Sequence, residues 1–488
     1  MYHIGIDLGT SAVKMILCDD GGNLLKTVSK TYPLMIDGLC AEQNPDDWWS
    51  AVKEGLAELT DGFEKEKISS LGAGGQMHGL VILDSEDRVI RPAILWNDGR
   101  TTAEVEYLNE TVGTDYLKEK TGNIAFAGFT APKILWLRKH EPENFKKISK
   151  IMLPKDYITY KLTGEFVTDV SDASGTLLFD CKNRCWSSDM CSVCEVSPSQ
   201  LPRVFESSEA VGVVKQSIAE EFGFGNNVVV VAGAGDNAAA AIGMGICDDT
   251  ACNISLGTSG TLFVCSDKFA DNADPALHSF CHANGKWHLM GCMLSAASCN
   301  KWFCEEILKT ADYSALQSAI PASLPGSNNV FFLPYLTGER CPHNDPLTRG
   351  AFIGLSADTG REQMVLAVLE GVAFGIRDCF ELVKKAGVKV TASNICGGGA
   401  KSPLWRQIMA DVLNIELAVP VAEEGPAYGG ALLSMVGDNT LKDISQCRDF
   451  SGVREIVKPR AQVSAAYDEK YAQYVQLYPA LKEIYKRG

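Results

Sequence analysis

The tetrapeptide Leu-Gly-Thr-Ser stands at residues 8–11 and again at 256–259, an offset of 248 residues in a chain of 488. Each copy interrupts a pattern of alternating apolar residues. Such a turn offers backbone N–H groups and hydroxyls, the donors that bind a phosphate. A single copy would carry little weight, since a Gly between strands ordinarily serves only the dihedral angles of the turn. Recurrence at half-length changes that reading. Two related halves, each presenting Gly9-Thr10 or Gly257-Thr258-Ser259, point to a nucleotide held in a cleft between them.

Four further segments carry residues able to do chemistry. Residues 69–84 read as a strand, a glycine-rich crossing and a second strand, with Gln76, Met77 and His78 projecting from the crossing. A lone histidine is more often structural than a ligand. A strand over 92–96 ends at Trp96 and runs into the polar loop Asn97-Asp98-Gly99-Arg100. Residues 227–232 form an apolar strand running into an alanine- and glycine-rich helix. Asp236 and Asn237 therefore sit at a strand-to-helix junction, a usual place for site residues in α/β domains. A helix-capping role for Asp236 is equally open from this local pattern. Finally, residues 393–411 read as a strand, a triple-glycine loop (Gly397, Gly398, Gly399) and a helix capped by Ser402 with Pro403 behind it. No Walker A motif and no GxGxxG follow the first strand, so P-loop and Rossmann readings fail.

Two other clusters are weaker. Cys181, Cys185, Cys191 and Cys194 follow a C-x3-C-x5-C-x2-C pattern. That spacing is unlike common zinc ribbons, and ordinary buried or surface thiols are the expectation. His278, His282 and His288 resemble a metal spacing, but they alternate across a turn at Asn284-Gly285 as strand residues do.

The elements that must position these residues follow from periodicity. Strands are expected at 3–7, 13–18 and 24–32, the last two joined by Asp19-Asp20-Gly21-Gly22. A helix opens at Asn44 with Pro45 behind it, its apolar face made by Trp48, Val52, Leu56 and Leu59. The second half repeats the plan from a hairpin at 251–264. At this length two domains are expected. The fold class is α/β.

Composition sets the outer limits. An apolar fraction of 46% and a charged fraction of 22% are those of a soluble globular protein. A net charge of −16 without a basic stripe argues against nucleic-acid or acidic-membrane partners. The N-terminus reads as a strand, not a signal sequence, and the most apolar stretch, 228–247, carries Asp236-Asn237 at its centre. A cytoplasmic protein with its 17 cysteines reduced is the expectation.

Taken together, these segments resemble the FGGY carbohydrate kinases of the actin-like and Hsp70-like ATPase superfamily. The resemblance runs from Gly5-Ile-Asp-Leu-Gly-Thr10 to Gly425-Pro-Ala-Tyr-Gly-Gly-Ala431. It implies two ribonuclease-H-like domains around a central cleft, 1–246 and 247–488 with a hinge near 246–250, closing over ATP and a small-molecule sugar. By that likeness Asp236 is the base that takes the proton from the sugar hydroxyl. Asp7 and Asp236 would serve Mg²⁺. Thr10, Gly257, Thr258 and Ser259 would meet the phosphates, while Gly398, Gly399, Ala400 and Trp302 would line the adenosine site. Met77, His78, Trp96, Asp236 and Asn237 would line the sugar pocket. Segments 75–80, 95–101, 153–157, 171–176 and 278–288 make D-xylulose the expected sugar, with ribulose, gluconate or a related polyol as alternatives. Glycerol kinases carry Arg-Glu where this chain has Met77-His78, which disfavours glycerol. The Cys181–Cys194 cluster is no part of the family pattern. A homodimer is the family's expected assembly. An ATP-driven binding protein of the Hsp70 or actin kind is the alternative from another class, and the lack of a separate peptide-binding domain speaks against it.

Overall fold

The computed structural model describes residues 1–248, 251–421 and 425–486. Two seven-stranded mixed sheets dominate it. In the first, the hairpin Tyr2–Leu8 and Ala12–Asp19 continues antiparallel into Leu24–Thr31, while Ile68–Gly75 pairs parallel on the other side of Tyr2–Leu8. In the second, the hairpin Cys252–Leu256 and Gly260–Ser266 continues antiparallel into Trp287–Met293, and Ala392–Cys396 pairs parallel beside Cys252–Leu256. The two plans are the same. Each places its Leu-Gly-Thr-Ser turn at the tip of a central hairpin.

The expected elements form with small shifts at their ends. The helix after Asn44 spans Pro45–Thr60, with the Asn44 side chain accepting from the Asp46 N–H. Trp48, Val52, Leu56 and Leu59 are fully buried on the first sheet, as their spacing requires. The strand read over 227–232 is shorter, Val229–Val231. A second short strand, Ala234–Gly235, follows before helix Asp236–Gly243. The strand read over 92–96 shrinks to Ala93–Ile94 because Trp96 turns outward into the loop. The hinge expected near 246–250 falls partly on residues 249–250, which lie outside the described residues.

Helix Gly425–Gly437 comes from the second half of the chain yet lies on the first sheet, beside Asp236–Gly243. Glycine makes the approach achievable. A Cβ on Gly5 would stand 1.8 Å from the Ala427 carbonyl oxygen, and one on Gly429 would stand 1.7 Å from that of Ala239. Among the described residues no helix is long and apolar enough to cross a membrane.

Candidate active site

Three parallel strands of the first sheet end side by side. Asp7 pairs with Gly74, Leu8 with Gly75, and Gly235 with Gly75 from the other side. The backbone N–H of Gln76 then donates to the Leu8 carbonyl at 2.8 Å. Asp7 and Asp236 therefore stand at one sheet edge, flanking Gln76. The carboxyl end of parallel strands is where α/β folds bind ligands.

Asp236 is the first residue of its helix, not the cap, which is Gly235. Its Oδ1 accepts from the Asn237 backbone N–H at 2.7 Å and from the Asn237 side-chain amide at 2.9 Å. Burial pushes its pKa up to about 6 against these two bonds. Asp7 is pushed to about 7 by burial and by the Asp236 charge, with Lys14 opposing. Burial raises both carboxylates, and the Asp236 charge adds to the rise at Asp7, so the pair is short of positive charge. Among the described residues no group of three or more His, Cys, Asp or Glu could hold a metal. A pair of carboxylates still fits Mg²⁺, which keeps several waters and takes its other ligands from phosphates.

Thr10 is tied into a hydrogen-bonded lattice. Its hydroxyl donates to Gln76 Oε1 at 3.2 Å and accepts from Trp96 Nε1 at 3.0 Å. Its carbonyl accepts from Gln43 Nε2 at 2.7 Å, and Gln43 Oε1 in turn accepts from Gln76 Nε2 and Trp48 Nε1. The Tyr32 hydroxyl donates to the Gly9 carbonyl. Gln43 and Tyr32 are absent from the sequence reading. Neither belongs to a motif: Tyr32 follows the strand Leu24–Thr31 of the first sheet, and Gln43 ends a strand of a separate three-stranded sheet. Trp96 keeps 44% of its surface exposed beside Thr10.

His78 sits at φ 67°, in the left-handed region, which aims its ring back across the crossing. Nδ1 lies 2.7 Å from the Gly175 carbonyl, and the ring stacks on Phe129 at 4.8 Å. Burial lowers its pKa to about 3, with Lys133 and Arg340 adding to the effect. The ring is neutral. A carbonyl partner fixes the proton on Nδ1, which leaves Nε2 as an acceptor. Lys133, itself lowered to about 7 by burial, holds the loop by donating to the carbonyls of His78 and Gly128 at 2.9 and 2.6 Å. Met77 is buried against Gly235. Beneath the junction, Ser171 Oγ accepts from the Gly235 N–H at 3.1 Å. The buried Lys155 ammonium lies 2.6, 2.9 and 3.7 Å from Asp156, Asp169 and Asp172.

The second sheet edge borders a cavity of about 930 Å³. Gly257, Thr258, Gly398 and Gly399 line it, with Asn300, Lys301, Tyr313, Gln317 and Ser402. Gly397 has φ 89°, and a Cβ there would stand 2.8 Å from the Leu256 carbonyl. Ser402 caps its helix by accepting from the Trp405 N–H at 3.1 Å, and its hydroxyl donates to Gln317 Oε1 at 2.5 Å. Three expected residues do not line this cavity. Trp302 stacks on Phe332 at 6.3 Å, Ala400 is buried, and Ser259 is not among the lining residues although Gly257 and Thr258 are.

The cysteine and histidine clusters have packing roles. Cys181, Cys191 and Cys194 are buried and Cys185 is exposed, with burial pushing Cys191 and Cys194 up to about 11 and about 12. His282 Nε2 lies 2.9 Å from the Ile246 carbonyl, and His288 stacks on Phe263 at 4.1 Å.

The family models for the N-terminal and C-terminal domains of the FGGY family of carbohydrate kinases match residues 2–243 and 252–437. The chain belongs to the FGGY family of carbohydrate kinases. It is a sugar kinase, with the two-domain mixed α/β architecture of the actin-like and Hsp70-like ATPases. A xylulose kinase of Escherichia coli (strain K12) is 41% identical over 487 residues, covering 98% of this chain and 99% of that protein. A solved "xyloylose kinase" from Brucella ovis superposes with a TM-score of 0.95 at 38% identity, covering 99% of this FGGY chain and 100% of the other. A gluconate kinase structure from Lactobacillus acidophilus superposes with a TM-score of 0.94 at 28% identity, covering 100% and 99%. The scaffold is thus shared by kinases named for different sugars.

Proposed function

We propose that this FGGY kinase transfers the γ-phosphoryl group of ATP to a primary hydroxyl of D-xylulose, giving D-xylulose 5-phosphate. Asp7 and Asp236 flanking Gln76 at the carboxyl edge of the first sheet, with the Gly257-Thr258 turn at a cavity edge of the second, carry the reading. Full-length similarity to xylulose kinases supports the choice of sugar over gluconate.

In this reading Asp236 accepts the proton of the attacking hydroxyl. A pKa of about 6 leaves it mostly ionised at neutral pH yet basic enough to take a proton as the bond forms. Asn237 fixes the carboxylate through its two hydrogen bonds. His78 accepts a sugar hydroxyl at Nε2, and Met77 and Trp96 cover the C–H faces. Asp7 and Asp236 would hold Mg²⁺, which when bound offsets charge on the phosphates. The turns at Gly9-Thr10 and Gly257-Thr258 present N–H groups to the phosphates, and Gly398-Gly399 let the adenosine lie against backbone. Residues 1–246 together with helix Gly425–Gly437 act as one closing domain and the rest of 247–488 as the other, the protein works in the cytoplasm, and a homodimer is its assembly.

The test is ADP release from Mg-ATP with D-xylulose, D-ribulose, L-ribulose, gluconate and glycerol, with Asp236→Ala in parallel. A preference for D-xylulose that the substitution abolishes is the expected result. Preference for another sugar would overturn the substrate, and sugar-independent turnover in both proteins would overturn the site.

A further inference from the structure

A second-half loop reaches the first-half sugar pocket. The strands Phe331–Leu333 and Ala351–Ile353 pair antiparallel, and the long connection between them is held rigidly. Glu339 and Asp345 exchange backbone hydrogen bonds at 2.9 and 2.8 Å. The Cys341 N–H donates to the Cys292 carbonyl at 3.1 Å, and the Tyr478 hydroxyl donates to Asp345 at 2.8 Å. Glu339 Oε1 accepts from the backbone N–H groups of Leu294 and Arg340, both at 2.8 Å. The base of Arg340 is therefore fixed.

The side chain of Arg340 leaves its own half. Its guanidinium stands 5.4 Å over the Phe126 ring, and Nη1 is 3.5 Å from His278 Nε2. His278 packs against Phe129 at 5.4 Å, and Phe129 stacks on His78. Among the described residues Arg340 has no carboxylate within salt-bridge distance. Burial pushes its neighbour Glu339 up to about 8, against two backbone hydrogen bonds and the Arg340 charge. A partly buried guanidinium, preorganised beside a neutral histidine and with no carboxylate bonded to it, has unused donors.

We infer that Arg340 is a sugar-specificity residue that donates to the carbonyl oxygen of an open-chain ketose. The chemistry divides between two side chains. His78 Nε2 only accepts, so it takes a hydroxyl proton. Arg340 only donates, so it matches a carbonyl oxygen, the one sugar atom that only accepts. An alditol has no such atom, and its hydroxyl would have to turn its own hydrogen away.

This inference rests on the D-xylulose reading, and its test separates the two. Wild type, Arg340→Lys and Arg340→Gln would be assayed with D-xylulose and with xylitol, alongside KM for ATP and Tm. We expect kcat/KM for D-xylulose to fall roughly 10- to 100-fold in Arg340→Gln, with a smaller fall in Arg340→Lys. Xylitol turnover and KM for ATP would change by less than about threefold, so the ketose-to-alditol ratio collapses. Equal losses on both sugars, or an unchanged ratio in a variant of wild-type Tm, would overturn the role of Arg340. Wild type that ignores D-xylulose while phosphorylating another sugar would overturn the substrate reading instead. If Arg340→Gln unfolds, Arg340→Lys carries the comparison alone.

Discussion

The two Leu-Gly-Thr-Ser hairpins share sequence and backbone plan but have different surroundings. The first follows Asp7, the second follows Ser255 at the matching position. Around the first turn the hydroxyl of Thr10 is already committed to Gln76 and Trp96. Around the second, the Thr258 carbonyl anchors the next helix, accepting from Ala296 N–H and Ser298 Oγ at 2.8 Å each. Its side chain stands exposed at a wide cavity. One turn is a rigid corner beside two strained carboxylates. The other is an open ledge beside a cavity whose charged lining residues are Lys301, Lys401 and Asp312. One local structure can serve chemistry or binding, and a single preceding residue with its neighbours decides which.

The largest break in that contrast should come from Asp236→Asn. We expect kcat to fall about 10²- to 10⁴-fold with Tm unchanged or raised, measured by coupled ADP release. A loss below threefold would remove Asp236 from proton transfer.

Asp7→Asn makes the first hairpin resemble the second. We expect kcat to drop by about two orders of magnitude, an effect that added Mg²⁺ only partly restores. Stability should move the other way. The folded pKa of Asp7, about 7, lies above its ordinary value of 3.8. The folded protein therefore binds the proton more tightly, and stability is lost as pH rises from about 4 to about 7. Replacing the carboxyl should raise Tm by a few degrees at pH 8 and by less at pH 4, read by calorimetry.

The pH profile sharpens the comparison further. With Asp236 raised to about 6, kcat/KM for the sugar should fall about tenfold per unit below that value as the base becomes protonated. A profile flat down to pH 5 would contradict this.

Paired threonine substitutions give smaller effects. Thr10→Ala should cost about tenfold in kcat/KM for sugar and ATP alike, since it frees Trp96 and Gln76. Thr258→Ala should raise KM for ATP about threefold with the sugar unaffected. The smallest effect is expected from Trp302→Phe. Its ring packs on Phe332 outside the cavity, so KM for ATP should stay within about twofold.

The sequence alone determined the duplicated hairpins, the strand-to-helix junction at Asp236, the capped helix after the triple glycine, and the family. Each is a local signal: a turn needs Gly, a helix start needs a cap, and alternation marks a strand. Tertiary structure decided everything that depends on distant residues meeting. It brought Gln43 and Tyr32 to the Thr10 turn from two different sheets, and it left Trp302 and Ala400 out of the cavity that their neighbours line. It laid helix Gly425–Gly437 on the opposite sheet, and it carried Arg340 to the ring cluster around His78. No local pattern encodes these meetings. Burial and charge proximity, which set the acidity of Asp7, Asp236 and His78, arise only once the chain has closed on itself.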